Sequence, residues 1–124
     1  MLKLIEDEGA SWDVPAEWRG EYYPSYISEG YVLTEIDPMV NKVIYNNTSG
    51  DILSFGEYSE DEEISLDSEN ATISYATVNG NNTLIIEKDD TTITWSNGEK
   101  YFIVRSKLSR NETLKISASV RRIS

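Results

Sequence analysis

The sequence contains no cysteine and no histidine among its 124 residues. Without cysteine there is no disulfide framework, no thiolate nucleophile and no Cys-ligated zinc site. Without histidine the chain lacks the commonest general base and metal ligand, which excludes Ser-His-Asp and Cys-His catalysis. It also lacks the G-x-G-x-x-G and Walker-type runs that hold phosphates. We therefore predict a protein that is not an enzyme and that has no cofactor and no metal.

Long hydrophobic runs are missing as well. No stretch approaches the roughly 18 apolar residues of a membrane span. The first eight residues hold four apolar ones, whereas a secretory signal needs an apolar region of about 7–15 residues. We expect no membrane contact, and a location in the cytoplasm or in an assembly built there, a virion included.

Charge is abundant but unevenly distributed. The chain has 11 basic and 22 acidic residues and a net charge of −11. Residues 1–99 carry −17 and residues 100–124 carry +6. An acidic body repels nucleic acid and anionic membranes, so neither is expected as a partner. The basic segment either neutralises neighbouring acidic strands within the molecule or docks head to tail with copies or other proteins.

The remaining pattern is typical of an all-β protein. Short segments rich in β-branched and aromatic residues alternate with Gly, Asn, Asp and Ser. After an N-terminal arm (1–15), residues 16–124 are predicted to form a single domain. Ten strands are predicted, at 17–23, 31–37, 40–46, 51–55, 63–67, 71–78, 83–88, 91–96, 100–107 and 113–123.

Tight turns predict how some of these strands connect. Asn79-Gly80 and Asn97-Gly98 tolerate the positive φ that two-residue hairpins require, and Asp89-Asp90 gives a third turn. Residues 71–107 are therefore predicted to be an antiparallel meander. The fold class expected is an antiparallel barrel or sandwich of about 8–10 strands with an extended N-terminal arm. A short helical turn at 25–29 stays open.

The densest acidic stretch lies within residues 57–69, which carry seven carboxylates. The run Glu60-Asp61-Glu62-Glu63 lacks the alternating Asp-x-Asp-x-Asp-Gly spacing of a calcium loop. The run is interpreted as a solvated loop tip rather than as a calcium site.

The stretch Trp18-Arg19-Gly20-Glu21-Tyr22 resembles the start of lipocalin-like (calycin) β-barrels. Those barrels begin with Gly-x-Trp on the first strand and close with a late-strand Arg or Lys over the aromatic ring. Here Tyr22 stands in the place of that Trp, and Trp18 lies upstream of the glycine. The resemblance implies a barrel closed by Trp18, Gly20, Tyr22 and Arg105, with an interior that holds a small apolar ligand.

Other residues are candidates for contacts with partners. Neighbours in a strand face opposite ways, so Tyr22 and Tyr23 cannot both be buried against one core. The apolar side chains of the N-terminal arm could add a strand to a neighbouring molecule. The predicted interaction residues are Leu2, Leu4, Trp12, Tyr23, Tyr26, Arg121 and Arg122.

The function predicted from these features is that of a non-catalytic interaction module. It would be an accessory or structural subunit of a larger assembly, such as a phage particle, that contacts a protein partner or copies of itself. One alternative is a lipocalin-like carrier of a small apolar ligand. The other is an acidic inhibitor that mimics nucleic acid, although the basic C-terminal region disfavours such a mimic.

Overall fold

The computed structural model describes residues 14–62 and 65–123. The chain there forms nine strands and one helix. In chain order they are β1 (Tyr22–Pro24), β2 (Val32–Asp37), β3 (Lys42–Asn46), β4 (Ile52–Ser59), β5 (Thr72–Val78), β6 (Asn81–Glu87), β7 (Thr91–Ser96), β8 (Lys100–Ser106), α1 (Arg110–Ala118) and β9 (Val120–Arg122).

Seven of the strands form one antiparallel sheet in the order β2-β3-β4-β8-β7-β6-β5. The prediction of a meander is confirmed, because β5, β6, β7 and β8 pair consecutively. β2 and β5 are opposite ends of the sheet, so it is not closed into a barrel. β1 and β9 pair as a second, two-stranded antiparallel sheet. The fold is therefore all-β and sandwich-like, which confirms one of the two architectures expected from the sequence.

One face of the large sheet, here called the inner face, carries the hydrophobic core. Alternate side chains along each strand point to this face, as the period of a β-strand requires. Phe55 on β4 lies beside Val43 on β3 and Val104 on β8, and all three are fully buried. The same register brings together Leu53, Tyr45, Ile85, Ile93, Trp95 and Phe102.

The helix and the small sheet cover the inner face. Ile116 of α1 and Tyr23 of β1 are buried in the common core. The hydroxyls of Ser106 and Thr113 share a hydrogen bond of 2.9 Å, which joins β8 to the helix. Ser25 N donates to Ser119 O at 2.9 Å, which fixes the start of the chain against the end of the helix.

The predicted strand 113–123 is wrong over most of its length, because residues 110–118 are helical. Leu114, Ile116, Ala118 and Val120 do alternate in the sequence. The buried positions, however, are Thr113, Ile116, Ser117 and Val120, a spacing of three and four residues that belongs to a helix.

Two other predicted strands also differ from the structure. Of the first one, 17–23, only residues 22 and 23 are in a strand, β1. Trp18 instead ends a turn in which its N–H donates to Pro15 O at 3.1 Å. In the predicted strand 63–67, residues 65–67 are not in a strand, and Glu63 and Ile64 lie outside the described residues. No helical turn forms at 25–29. Of the predicted N-terminal arm, residues 1–13 lie outside the described residues.

Candidate interaction surface on the outer face of the sheet

The outer face of the large sheet lies opposite the helix, and its centre is made of small and polar residues. Ser54 and Gly56 on β4 pair with Arg105 and Ile103 on β8, and Thr92 on β7 follows in the same row. Ser54, Gly56 and Thr92 are buried although they lie on the face away from the core. Something must therefore cover them.

The Tyr58 ring covers Gly56. Residues 60–62 and 65–71, here called the crossover, belong to the connection from β4 to β5 at the far edge of the sheet, and Ser65 and Leu66 line a common hollow with Thr92 on β7 and Ile103 on β8. Glu60 is hydrogen-bonded to the Ser96 hydroxyl on β7. Lys88 Nζ lies 3.0 Å from Asp67 Oδ2. The hydrogen bond from Lys88 holds the pKa of Asp67 below its ordinary value, and the positive charge of Arg105 lowers that pKa further.

The acidic run predicted to be solvated belongs to this crossover. Glu60, Asp61 and Glu62 are exposed, as expected. Glu62 also accepts a hydrogen bond from Ser59 N at 2.6 Å, so the start of the crossover is held to the end of β4. Within residues 14–62 and 65–123, no group of three or more acidic side chains is arranged to hold a metal ion.

A hollow of about 380 Å³, here called the central hollow, lies between the crossover and the sheet. Its apolar lining comes from three separate parts of the chain: Val40, Leu66 and Ile103. Two cations, Lys42 and Arg105, also line it. The central hollow thus combines an apolar wall with positive charge in a chain that is acidic as a whole.

The floor of the central hollow depends on Gly56. A Cβ built there would lie 2.7 Å from ring atoms of Tyr58, because the Tyr58 ring folds back over the glycine. Burial raises the pKa of Tyr58, and the nearby Glu62 carboxylate raises it further. Tyr58 therefore stays a neutral hydroxyl at the rim of the hollow.

A second hollow of about 420 Å³ adjoins the central one and shares Lys42, Ser54 and Arg105 with it. Asp90 lies in this second hollow between two cations. Its carboxylate oxygens are 3.0 Å from Arg105 Nε and 3.3 Å from Lys107 Nζ. Lys42 makes no ion pair within 4 Å with any of the described residues, although Asp37 is its cross-strand neighbour on β2. Its ammonium group lies between the two hollows.

A third hollow, of about 270 Å³, lies on the other side of the crossover and is here called the edge hollow. It is lined mainly by Tyr75 on β5, Leu84 on β6, Thr94 and Trp95 on β7, and Tyr101 on β8. Tyr75 is 74% exposed although it belongs to a strand. The edge hollow opens beside β5, the last strand of the sheet.

The structure does not bring together the four residues predicted to close a barrel. Trp18 packs on the inner side against Tyr23 and Phe55, whereas Arg105 lies on the outer face with Asp90. The cation over the Tyr22 ring is Arg122, at 5.2 Å from the ring centroid. This placement corrects the predicted contact, because Arg105 follows the inner-facing Val104 and must point to the opposite face.

Trp18, Gly20 and Tyr22 meet a residue that sequence reasoning missed, Glu57. Glu57 is 2% exposed, and its carboxylate accepts hydrogen bonds from the backbone N–H groups of Glu21 and Tyr22 at 2.9–3.1 Å. A Cβ at Gly20 would lie 2.6 Å from Glu57 Oε1, so a glycine is needed for this approach. Nothing in an acidic sequence distinguishes this carboxylate from the other 21.

The predicted interaction residues have mixed positions. Tyr23 belongs to the core, since it is 1% exposed and hydrogen-bonded to the Tyr45 hydroxyl. Burial raises its pKa, against a smaller opposing effect of the bond to Tyr45. Tyr26 is half-buried and donates to Glu112 Oε2 at 2.5 Å. Arg121 and Arg122 are exposed, and Leu2, Leu4 and Trp12 lie outside the described residues.

A family model with the description "Domain of unknown function (DUF4367)" matches residues 21–120. The chain belongs to the DUF4367 family. The matched range contains the whole of the large sheet, the crossover and the three hollows, whereas Trp18 and Gly20 precede it. No curated protein and no solved structure matches the chain. The resemblance to lipocalin-like barrels stays a prediction. No helix of the described residues is long and apolar enough to cross a bilayer.

Proposed function

We propose that this DUF4367 domain is a non-catalytic interaction module that binds an extended, basic segment of another protein along strand β5. It would act as a subunit of a larger assembly in the cytoplasm. The observation that carries the proposal is the composition of this edge strand. Thr72–Val78 holds seven residues without a charge, a proline or a glycine.

An edge strand of this kind is unusual. Natural proteins protect sheet edges with charged residues, prolines, bulges or very short strands, because the free backbone pairs readily with other chains. β5 has none of these, and no strand of the described residues pairs with its outer side. An unprotected edge supports a role in strand addition, in which backbone hydrogen bonds supply affinity.

The hairpin geometry shows which backbone groups are available. Asn79 and Gly80 have φ of 51° and 84°, which fits a two-residue turn of type I′. Val78 and Asn81 then form the hydrogen-bonded closing pair, and hydrogen-bonded pairs alternate from there. The N–H and C=O groups of Ile73, Tyr75 and Thr77 therefore point away from β6, toward an incoming strand.

Side chains beside this edge would supply specificity. Ile73 and Tyr75 are both exposed on the outer face, and Tyr75 forms one wall of the edge hollow. A strand added next to β5 places every second side chain on this same face. An apolar side chain of the partner could then enter the edge hollow, which is the usual source of selectivity in strand addition.

Charge favours a basic partner over a second copy. Two copies that each carry −11 repel one another when they approach within the screening length of about 8 Å at physiological salt, whereas a basic segment is attracted. Near the edge itself, Glu69 is exposed just before β5, Asp67 is paired with Lys88, and Arg110 donates to Ser74 Oγ from the inner side. The preference for a basic partner therefore rests on the net charge of the whole chain. The filled inner face also supports an interaction role over a carrier with an internal cavity.

The proposal is tested with a library of random ten-residue peptides displayed and selected on the intact protein. We expect selected peptides to combine β-forming residues with Lys or Arg and to bind the wild-type protein. Thr77→Pro removes one outward N–H without removing a bond to β6, so it should abolish binding. Thr77→Ala keeps that N–H and is the matched control, which should bind as the wild type does.

Hydrogen exchange provides the second measurement. A bound peptide should slow exchange of the Ile73, Tyr75 and Thr77 amides. Peptides that bind Thr77→Pro as tightly as Thr77→Ala would contradict the proposal. A wild-type protein that dimerises by itself in sedimentation, while Thr77→Pro stays monomeric, would replace the basic partner with a second copy.

A further inference from the structure

We propose that the central hollow binds a medium-chain carboxylate, an anionic amphiphile whose head group lies between Lys42 and Arg105. This site is separate from the β5 edge, on the other side of the crossover. It also differs from a barrel interior, because it lies on the outer face of an open sheet. The inference does not depend on the proposed function.

The first argument is the distribution of the cations. Residues 1–99 contain only four basic side chains, and one of these is Lys42, in the wall of the central hollow. Arg105 comes from β8 and lines the same hollow, although its own partner Asp90 lies in the adjoining one. Lys42 has no ion pair among the described residues, so an incoming anion would not have to displace a carboxylate from it.

The register of the sheet brings the two cations toward one point. Lys42 lies beside Gly56 on one side of β4, and Arg105 lies beside Ser54 on the other. The backbones of these flanking strands are about 10 Å apart, twice the spacing of neighbouring strands. Long side chains from both can therefore reach over the Ser54 hydroxyl, which offers a third hydrogen-bonding group for a carboxylate.

The second argument is the apolar wall. Val40, Leu66 and Ile103 come from a hairpin tip, the crossover and a central strand, and Gly56 leaves space between them. Tyr58 stands at the rim with its pKa raised by burial and by Glu62. It would therefore not add negative charge beside the ligand. At about 380 Å³ the hollow is within the usual range of small-ligand sites, roughly 300–1,000 Å³.

The net charge of −11 does not prevent such binding at physiological salt. At an ionic strength of about 0.15 M, exposed charges are screened beyond about 8 Å. A carboxylate inside the hollow therefore interacts chiefly with the charges that line it. The charged side chains that line it are Lys42, Arg105 and Glu62, and two further carboxylates are close: Asp90, 3.0 Å from Arg105, and Asp37, opposite Lys42 in the register of β2 and β3. Glu62 and Asp37 already accept backbone bonds from Ser59 N and Met39 N, which leaves the Lys42 ammonium as the group available to an anion.

The experiment is a nitrogen-15 NMR titration of the full chain with hexanoate, octanoate and decanoate below their micelle concentrations. We expect saturable shifts of the amides around Gly56 and Ile103. Affinity should rise by up to about fourfold for each added methylene, the value for full burial in an apolar site. Decanol, which lacks the charge, should bind more weakly than decanoate.

Lys42→Met removes the unpaired charge and keeps the apolar stem. It should weaken decanoate binding by about tenfold or more, the range for a hydrogen bond to a charged group, and should leave decanol binding unchanged. Lys115→Met, on the exposed side of α1, changes the net charge equally and is the control. Because the Lys42 side chain makes no ion pair with the described residues, Lys42→Met should have the same melting temperature as the wild type.

Several results would overturn the inference. One is the absence of saturable shifts with decanoate. Another is equal affinity for decanoate in Lys42→Met and the wild type. Acetate or inorganic phosphate that binds as tightly as decanoate would make the site one for simple anions. Shifts centred on Tyr23 and Ile116, which belong to the core on the inner face, would mean that decanoate loosens the core as a detergent does.

Discussion

The two faces of the seven-stranded sheet are covered in different ways. The inner face is covered by α1 and the β1/β9 sheet, and its large side chains, such as Phe55 and Ile93, are fully buried. Among residues 14–62 and 65–123, only the crossover lies over the outer face, and it leaves hollows on both sides. One face is a closed hydrophobic core, and the other is a partly open surface.

Charge follows the same division. Of the described residues, the only charged side chain that is buried is Glu57 on the inner face, and its oxygens accept backbone N–H bonds. On the outer face Arg105 and Lys107 are exposed, and Lys42 and Asp90 are half-buried. Buried charge is tolerated only where it is fully hydrogen-bonded. We infer that the inner face supplies stability and that the outer face is available for recognition.

The largest expected difference between the faces concerns their apolar side chains. Phe55→Ala removes a fully buried ring from the centre of the inner face and should lower the free energy of unfolding by about 3–5 kcal/mol. Ile103 lies on the outer face, on the neighbouring strand β8. Ile103→Ala should lower the free energy of unfolding by about 1 kcal/mol, because the hollow beside it is already open to water. Urea unfolding measures both. Equal losses would mean that the crossover closes a second core.

The buried carboxylate provides the next comparison. Glu57→Gln keeps the shape but replaces one accepting oxygen with an NH₂ group that faces backbone donors. We expect a loss of about 2 kcal/mol in the free energy of unfolding, the range for bonds to a charged group. Glu62→Gln is the control on the outer face and should change stability by less than about 0.5 kcal/mol. If the two variants unfolded alike, Glu57 would not be what fastens β1 to the sheet.

The meander could be predicted from sequence because its information is local. Asn79 and Gly80 take the positive φ that the tight turn between β5 and β6 needs. Gly98 also has a positive φ, in the turn between β7 and β8. Each turn fixes the register of the two strands beside it. Four consecutive strands were found in this way, with bounds within two residues of those in the structure.

The crossover could not be predicted, because no local signal states which strand β4 will pair with. Its second neighbour is β8, more than forty residues further along the chain. The outer-face hollows exist only because the chain leaves β4 and returns to the sheet at the far edge. Alternation along β8 places Arg105 on the face opposite Val104, but nothing in the sequence reveals that Trp18 lies on the other side of the sheet.

The helix, by contrast, had a local signal that was overlooked. Ser109-Arg110-Asn111-Glu112 fits the capping pattern Ser-x-x-Glu. In the structure Glu112 N donates to Ser109 Oγ at 3.2 Å, as that pattern requires. The Glu112 side chain turns away instead, toward Tyr26 and Ser28. Alternating apolar residues in 114–120 favoured a strand because the polar buried positions, Thr113 and Ser117, were not counted.

Acid should reveal how the helix is fastened over the inner face. Hydrogen bonds from Ser28 and then Tyr26 hold the pKa of Glu112 below its ordinary value of 4.5, and Lys115 lowers it further. A lowered folded-state pKa stabilises the protein above the unfolded value, and this contribution is lost as pH falls through the folded pKa. Glu112→Gln should therefore have a lower melting temperature than the wild type at pH 7. The difference between the two melting temperatures should become smaller below about pH 4.5.

Glu29→Gln serves as the control for the pH series, because Glu29 is exposed and makes no hydrogen bond or ion pair with the described residues. Its melting temperature should follow the wild type at every pH. A gap between Glu112→Gln and the wild type that is as large at pH 3 as at pH 7 would show that the effect is packing and not charge.

The smallest expected effect compares one arginine from each side of the molecule. Arg122 lies 5.2 Å from the Tyr22 ring centroid and pairs with Glu21 at 3.6 Å. A cation over an exposed ring contributes about 0.5–1 kcal/mol. Arg105, 62% exposed in its side chain, makes a surface pair with Asp90, and such pairs contribute little. Arg122→Ala should therefore lower the melting temperature by a few degrees and Arg105→Ala by less, in parallel thermal scans. The reverse order would support the structural role that the lipocalin-like resemblance implied for Arg105, and would count against its place in the proposed carboxylate site.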